Sequence, residues 1–428
     1  MKFKAKVSGL TAGTAAAIEV ATKNVVKDFE HVDKVRVACT VDELSVQAWN
    51  GRMCIEEILS DLTMDLGWEH SKDGIACVNA KDLGRVLSSF KPDVKLDVEL
   101  KDNKDSGKEL VLSLESDKKQ YQTLPCYDDE IDFPSMPKGS DGVKEININR
   151  GVFLRGVGKI LFAAGFEEQR EKYLYWVLRA EGENARFAAG TGQRFAILDV
   201  EGKNVFGAKP KKHTFMMPKA QTPVLVSILG NLDDDNITIK EIKNDNVFQL
   251  AIETARQKML LLGMNPSIDW IDENVVLSAD YTFKFVTEIS DWKYASKGAT
   301  ATFDEQLKKE KRPHKAHVKV HPDDGDLFIS TDHRMKSARK VGLIDFKGDG
   351  DGVEFVAGSS YISEIAENAD EDGYIQMEFI KTVDEKRKPV LVRYFAADKV
   401  ADGSTLSRIN ASSDTKESFS IFFSQLSG

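Results

Sequence analysis

His314, His317 and His321, followed by Asp323 and Asp324, are side chains of the kind that hold a divalent cation. They sit among Lys308, Lys309, Lys311, Arg312, Lys315 and Lys319, which repel one, so no metal site is expected and a metal-dependent nuclease ranks last among the functional readings. Gly190-x-Gly192 lacks the third glycine and following helix of a dinucleotide loop and reads as a hairpin turn. Gly348-Asp349-Gly350-Asp351-Gly352 lacks the ligand pattern of an EF-hand and also reads as a turn. No Ser/His/Asp or Cys/His set stands out. The residues support neither an enzyme nor a cofactor.

Cationic helices are the remaining chemistry. The segment from Asn149 to Gly165 carries Arg150, Arg155 and Lys159 and no acid. Thr11–Lys27 sets Lys23 and Lys27 against Glu19, and the helix near 80–91 sets Lys81, Arg85 and Lys91 against Asp82. Lys219–Leu232 has Lys219 and no acid, whereas acids collect in turns such as Tyr127-Asp128-Asp129-Glu130 and Leu232-Asp233-Asp234-Asp235. Such helices can present a weakly basic face to phosphates, giving salt-sensitive contact without base readout. Ordinary solvated helix faces are the competing reading. The last third fits the basic reading less well, since Lys284, Lys293 and Lys297 face Asp280, Glu288 and Asp291, and only Glu364 and Glu367 follow.

The elements that carry these residues repeat. Leu83, Val86, Leu87 and Phe90 at helical spacing precede the alternating Val94, Leu96, Val98 and Leu100. Leu225, Ile228, Leu229 and Leu232 precede Ile237 and Ile239, and Ile362, Ile365, Ala366 and Ala369 precede Ile375, Met377 and Phe379. Spacings of 142 and 137 residues separate Leu83, Leu225 and Ile362, close to a third of the 428-residue chain. A strand leading into an apolar helix opens each unit: Lys2–Val7 into Thr11–Val26, Glu145–Asn149 into Gly151–Gly165, and Val275–Ser278 into Phe283–Tyr294. The pattern is a tandem α+β repeat, two helices on antiparallel sheet per unit, with boundaries at 1–138, 139–270 and 271–428. Residues 304–324, rich in Lys, Glu and His, read as an exposed loop inserted in the third unit.

Composition sets outer limits. A net charge of −10, with 41% hydrophobic residues, argues for a globular protein and against one that grips nucleic acid over its whole surface. Cys39, Cys54, Cys77 and Cys126 form no C-x-x-C pair, as expected of reduced thiols in the cytoplasm. A secretory signal and a membrane span are not expected.

Three such units, acidic overall with basic helices, resemble the bacterial DNA polymerase III beta subunit, the sliding clamp. Thr123-Leu124-Pro125 with Asp132-Phe133-Pro134 is similar to the family's T-L-P…D/E-F-P, and Gly190-Thr191-Gly192-Gln193-Arg194-Phe195-Ala196 to its T-D-G-H-R-L-A. Met217-Pro218-Lys219 is similar to a V-P-R/K entry to a helix, and Met264-Asn265-Pro266 to an F-P segment before a linker. The family's M-P-M-R-L-like tail is replaced by Ile421-Phe422-Phe423-Ser424-Gln425-Leu426-Ser427-Gly428, a divergence that fits a clamp from a phage or other mobile element. The resemblance implies a homodimeric ring of three tandem clamp domains per chain, helices inside, encircling double-stranded DNA and serving a replicative polymerase and a clamp loader. It places Lys23, Lys27, Lys81, Arg85, Arg150, Arg155, Lys159, Arg170, Lys172 and Lys219 at the DNA-facing wall. It places Leu174, Gly192, Arg194, Phe195, Pro266, Ser359, Ile421, Phe423 and Gln425 at a pocket for partner peptides. A non-catalytic interaction or assembly protein of triplicated domains is the alternative.

Overall fold

A computed structural model of the chain describes residues 1–29, 32–59, 66–104, 107–127, 133–134, 144–165, 171–244, 247–264, 270, 277, 279–301, 314–331, 337–348, 353–369, 373–380, 389–395, 409–412 and 415–424. Two compact units emerge, 1–154 with 217–267 and 155–216 with 268–428. Neither coincides with a third of the sequence. Helices α1 (Val7–Thr22), α2 (Ala80–Ser89), α3 (Arg150–Ile160), α4 (Thr222–Gly230), α5 (Ile289–Ala301) and α6 (Ser359–Glu367) accompany mostly antiparallel sheets. Among the described residues no helix is long and apolar enough to cross a membrane.

The first unit holds two sheets. One runs Glu69–Lys72, Lys2–Lys6, Lys95–Asn103, Gly107–Leu114, Tyr121–Pro125. Its opening strand shows the period-2 rule plainly, with Phe3 and Ala5 buried between Lys2, Lys4 and Lys6. The other, eight-stranded, runs Lys144–Asn149, Asn236–Asn244, Val247–Glu253, Gln257–Met264, Met53–Leu59, Leu44–Trp49, Lys34–Cys39, Gly74–Asn79. Ala-rich α1 packs on α2 and on the strands Leu44–Trp49 and Met53–Leu59. The Asn79 side chain caps α2 by accepting from the Lys81 and Asp82 amides.

The second unit repeats the plan. A ten-stranded sheet runs His213–Pro218, Tyr175–Glu181, Asn184–Gly190, Arg194–Gly202, Thr415–Ser424, Pro389–Phe395, Tyr374–Phe379, Phe283–Glu288, Asp345–Lys347, with Ile409–Ser412 pairing Thr415–Ser424 off that path. A four-stranded sheet runs Ser337–Gly342, Asp326–Thr331, Lys315–His321, Val353–Gly358. Helices α5 and α6 pack together, tied by Trp292 Nε1 donating to the Ile362 carbonyl at 3.1 Å.

Each third thus supplies strands to two sheets, five and four from the first, four and four from the second, and six and four from the last. The last hairpin strand of one third pairs with the last strand of the next, first at Met53–Leu59 against Gln257–Met264, then at Arg194–Gly202 against Thr415–Ser424. Two strands of the same kinds end their sheets, Tyr121–Pro125 and Ser337–Gly342.

Two sequence expectations are corrected. The third-unit helix begins at Ile289 rather than Phe283, because Phe283, Phe285 and Thr287 alternate inward as the strand Phe283–Glu288. Lys315–His321 is not an exposed loop but an inner strand: Ala316, Val318 and Val320 are buried between the polar residues, and that periodicity overrides the lysine content. Residues 304–313 of the expected insertion lie outside the described residues.

Candidate nucleic-acid and partner-binding surfaces

The cations of α3 hold the fold together. Arg150 donates from Nε to the Asp234 carbonyl at 2.6 Å and from Nη1 to the Leu229 carbonyl at 2.9 Å, satisfying oxygens at and beyond the C-terminal end of α4. Arg155 donates from Nε to both carboxylate oxygens of buried Glu417, at 2.7 and 2.8 Å. Lys159 donates to the Asn368 carbonyl at 2.8 Å and lies over the Phe419 ring. An acid-free helix in sequence is therefore a helix whose counter-charges and carbonyls arrive from residues far along the chain.

The other candidate cations differ. Lys23 is exposed and pairs with Glu19 at 2.6 Å, one turn earlier, and Lys27 is exposed in the turn that follows α1. On α2, Lys81 is exposed and the Arg85 side chain, 78% exposed, touches Asp82 at 3.3 Å. Lys172 lies beside the Tyr173 ring, and Lys219 is half-buried at the short turn before α4. Arg170 lies outside the described residues. The exposed members Lys23, Lys27, Lys81 and Arg85 all belong to the first unit.

The expected peptide-pocket residues fall on two faces of one sheet. Arg194 lies opposite Phe423, Phe195 opposite Phe422 and Ala196 opposite Ile421. Since neighbours along a strand point to opposite faces, Arg194, Ile421 and Phe423 share one face and Phe195 and Phe422 the other. On the first, Arg194 pairs with Glu364 of α6 and donates to the Phe162 carbonyl at 2.7 Å, while Phe423 lies against Tyr361 of α6. Burial pushes the Glu364 carboxyl up, and Arg194 opposes that shift. Ser359, at the start of α6, is buried with its hydroxyl 3.0 Å from His314 Nδ1.

On the second face Phe195 stacks on Phe422 at 4.7 Å between centroids, within a cluster of Ala188, Ile197 and Leu391 that half-buried Leu277 and Tyr281 cover. Burial raises the Tyr281 phenol above its ordinary pKa, with the Glu378 charge adding to the rise. Gly190 leaves the room that this stack needs, because a Cβ there would lie 2.2 Å from the Phe195 ring. Gly192 abuts the Tyr173 hydroxyl, which a Cβ would approach to 2.8 Å, and Leu174 is half-buried at the end of the turn Glu171–Leu174. Pro266 and Gln425 lie outside the described residues. Phe422, Leu391, Leu277 and Tyr281 were not singled out in the sequence. The sequence shows only that Ile421, Phe422 and Phe423 in a strand cannot all face one way; which of them meets Phe195 is set by the register between distant strands.

Farther along the Phe195 face an open cavity of about 550 Å³ is lined by Arg179, Arg186, Asp199, Glu201, Lys212 and Ser418. Arg186 holds Asp199 there through two bonds of 2.6 and 3.0 Å. The three histidines diverge: His314 meets Ser359, His317 meets the Glu354 carboxylate and His321 the Phe328 ring. Among the described residues no group of three or more His, Cys, Asp or Glu is placed to hold a metal ion.

The chain is similar in structure to a DNA polymerase sliding clamp from Bacillus subtilis, with a TM-score of 0.77 and 12% identity over 100% of this chain and 99% of that one. It is similar to the beta subunit from DNA polymerase of Streptococcus pyogenes, TM-score 0.76 and 11% identity over 100% of both chains. The DNA polymerase III subunit beta from Pseudomonas aeruginosa gives 0.74 and 14%, again over 100% of both. No family model and no curated protein matches the sequence. The fold is the one these clamp structures have.

Proposed function

We propose that this protein is a DNA sliding clamp, a non-catalytic processivity factor that encircles duplex DNA without reading its sequence and tethers a replicative polymerase. The observation that carries this reading is the repeated seam. Twice the last hairpin strand of one third pairs with the last strand of the next. Among the strands at sheet ends, Tyr121–Pro125 and Ser337–Gly342 are of the same two kinds. A second copy placed head to tail would pair them twice and close a ring by the same rule, leaving no edge of that kind open.

A topological grip explains the charge. Encirclement needs no tight contact, so a chain of net charge −10 repels DNA from its outside while a few exposed cations, Lys23, Lys27, Lys81 and Arg85 first among them, keep the duplex centred. Three clamp domains per chain, near 1–138, 139–270 and 271–428, belong to this reading, as do a clamp loader and a cytoplasmic site of action. The stacked pair Phe195 and Phe422, with Leu391 and Ile197, is buried beneath Leu277 and Tyr281, so it would take the apolar anchor of a partner peptide only where those two covering side chains move aside.

Topology is the test. Protein loaded on nicked circular duplex should co-elute with it in gel filtration, leave it after a single cut, and remain if the cut ends are blocked. Equal retention on circular and open linear DNA rejects the reading.

A further inference from the structure

At the first seam, where Met53–Leu59 pairs with Gln257–Met264, a carboxylate is buried without adequate partners. Glu57 is fully buried, lies opposite Gln257 and accepts from its Nε2 at 3.0 Å. Its other oxygen has no hydrogen-bond donor: Arg256 Nε comes within 3.3 Å but is not aligned to donate, and Arg256 Nε and Gln257 Oε1 are themselves buried without partners. Three unsatisfied polar atoms thus meet at one seam. The equivalent place in the second seam, three residues beyond the last hairpin pair, is the apolar couple Leu198 and Phe419.

Little else faces Glu57. Val46 lies beside it on the neighbouring strand, and the buried residues of α1, which packs on this strand, carry no titratable group. The α1 carboxylate, Glu19, is held by Lys23. Glu56 and Lys258, opposite one another, and Glu253 with Lys240 belong to the other face. Arg256 is therefore the charge that acts on Glu57, and burial outweighs it.

We propose that the first seam is a proton-controlled joint: it closes fully only while Glu57 is protonated, and ionisation of Glu57 loosens the pairing of the two strands. A protonated Glu57 can donate from the oxygen that now lacks a donor, for example to the orphaned Gln257 Oε1, whereas the ionised form leaves a charge in an apolar interior. Burial raises its pKa to about 7, against the pull of Arg256 and Gln257. A folded value above the unfolded one makes the seam tightest in acid and progressively weaker as pH rises through that value.

Amide hydrogen exchange tests it on the intact protein. Ile58, whose amide donates across the seam to the Arg256 carbonyl, and residues 257–261 report the pairing. After correction for intrinsic rates, their opening should rise roughly 30-fold between about pH 5.5 and 8.5, the ratio expected if the opened seam restores an ordinary glutamate. It should be flat in Glu57→Gln. Difference infrared spectra of the native chain should show a protonated carboxyl lost near pH 7. A flat native exchange profile overturns the proposal, as does a native carboxyl that ionises entirely below pH 5; both hold even if the variant fails to fold.

Discussion

Gly190, Phe195 and Phe422 show what a single missing Cβ does. The Phe195 ring is held on one side by Phe422 and covered by Leu277 and Tyr281, so it cannot retreat from a methyl group placed 2.2 Å away. Gly190→Ala should therefore cost about 2–3 kcal/mol by overpacking. Phe195→Ala alone should cost about 3–5 kcal/mol, the usual range for emptying a buried aromatic site. In the double variant the methyl group meets space instead of a ring, so the glycine substitution should add almost nothing. Urea titrations of the four proteins measure this coupling. Strict additivity would mean that the glycine is required for some reason other than the ring. The motif from Gly190 to Ala196 was legible in the sequence as a turn followed by an apolar residue. Its partner Phe422 was not, because which of three consecutive apolar residues faces Phe195 depends on a register set by strands more than 200 residues apart.

Helix α3 shows that an element's charge has to be read together with the partners the fold brings to it. Its run of cations was evident in the sequence, but the residues that occupy them, Glu417, Asn368, Leu229 and Asp234, are distant in the chain. At Lys315–His321 the lysines suggest a loop, although Ala316, Val318 and Val320 already alternate as a strand must. Charge composition reports solvation only after periodicity has assigned the faces. Arg155→Ala should strand the buried Glu417 carboxylate and cost about 1–3 kcal/mol, discounted because the arginine itself is partly solvated. It should leave retention on circular DNA unchanged at low salt. Lys81→Glu with Arg85→Glu should do the reverse, shifting stability by under about 0.5 kcal/mol while shortening retention and flattening its salt dependence. Paired thermal melts and retention assays separate the two helices. If Arg155→Ala kept full stability and lost retention instead, α3 and not α2 would be the surface that meets phosphate.

At the scale of the whole chain, the spacings of 142 and 137 residues made a threefold repeat legible, because each unit repeats the same periodic order of helix and strand. The sheets that join one third to the next were not legible: pairing between Met53–Leu59 and Gln257–Met264 leaves no mark in either strand's own pattern. That pairing is also what makes the two edge strands of the same kinds, Tyr121–Pro125 and Ser337–Gly342, informative. Tyr121 opens the strand Tyr121–Pro125 and is 59% exposed, so its side chain is available to a second copy that pairs along this edge. If a second copy pairs there, sedimentation should give twice 47.7 kDa for the native chain. Tyr121→Glu should then yield a species of 47.7 kDa whose helix and strand content is unchanged. Val41, 66% exposed between the strands Lys34–Cys39 and Leu44–Trp49 and part of neither edge strand, supplies the control: Val41→Glu adds the same charge and should leave the dimer intact. The DNA experiment follows from the same substitution, since a chain that cannot close on a partner should lose retention on circular and end-blocked linear DNA alike. A native monomer at micromolar concentration, or a dimer indifferent to Tyr121→Glu, would remove this edge from the assembly and require a different surface to close the ring.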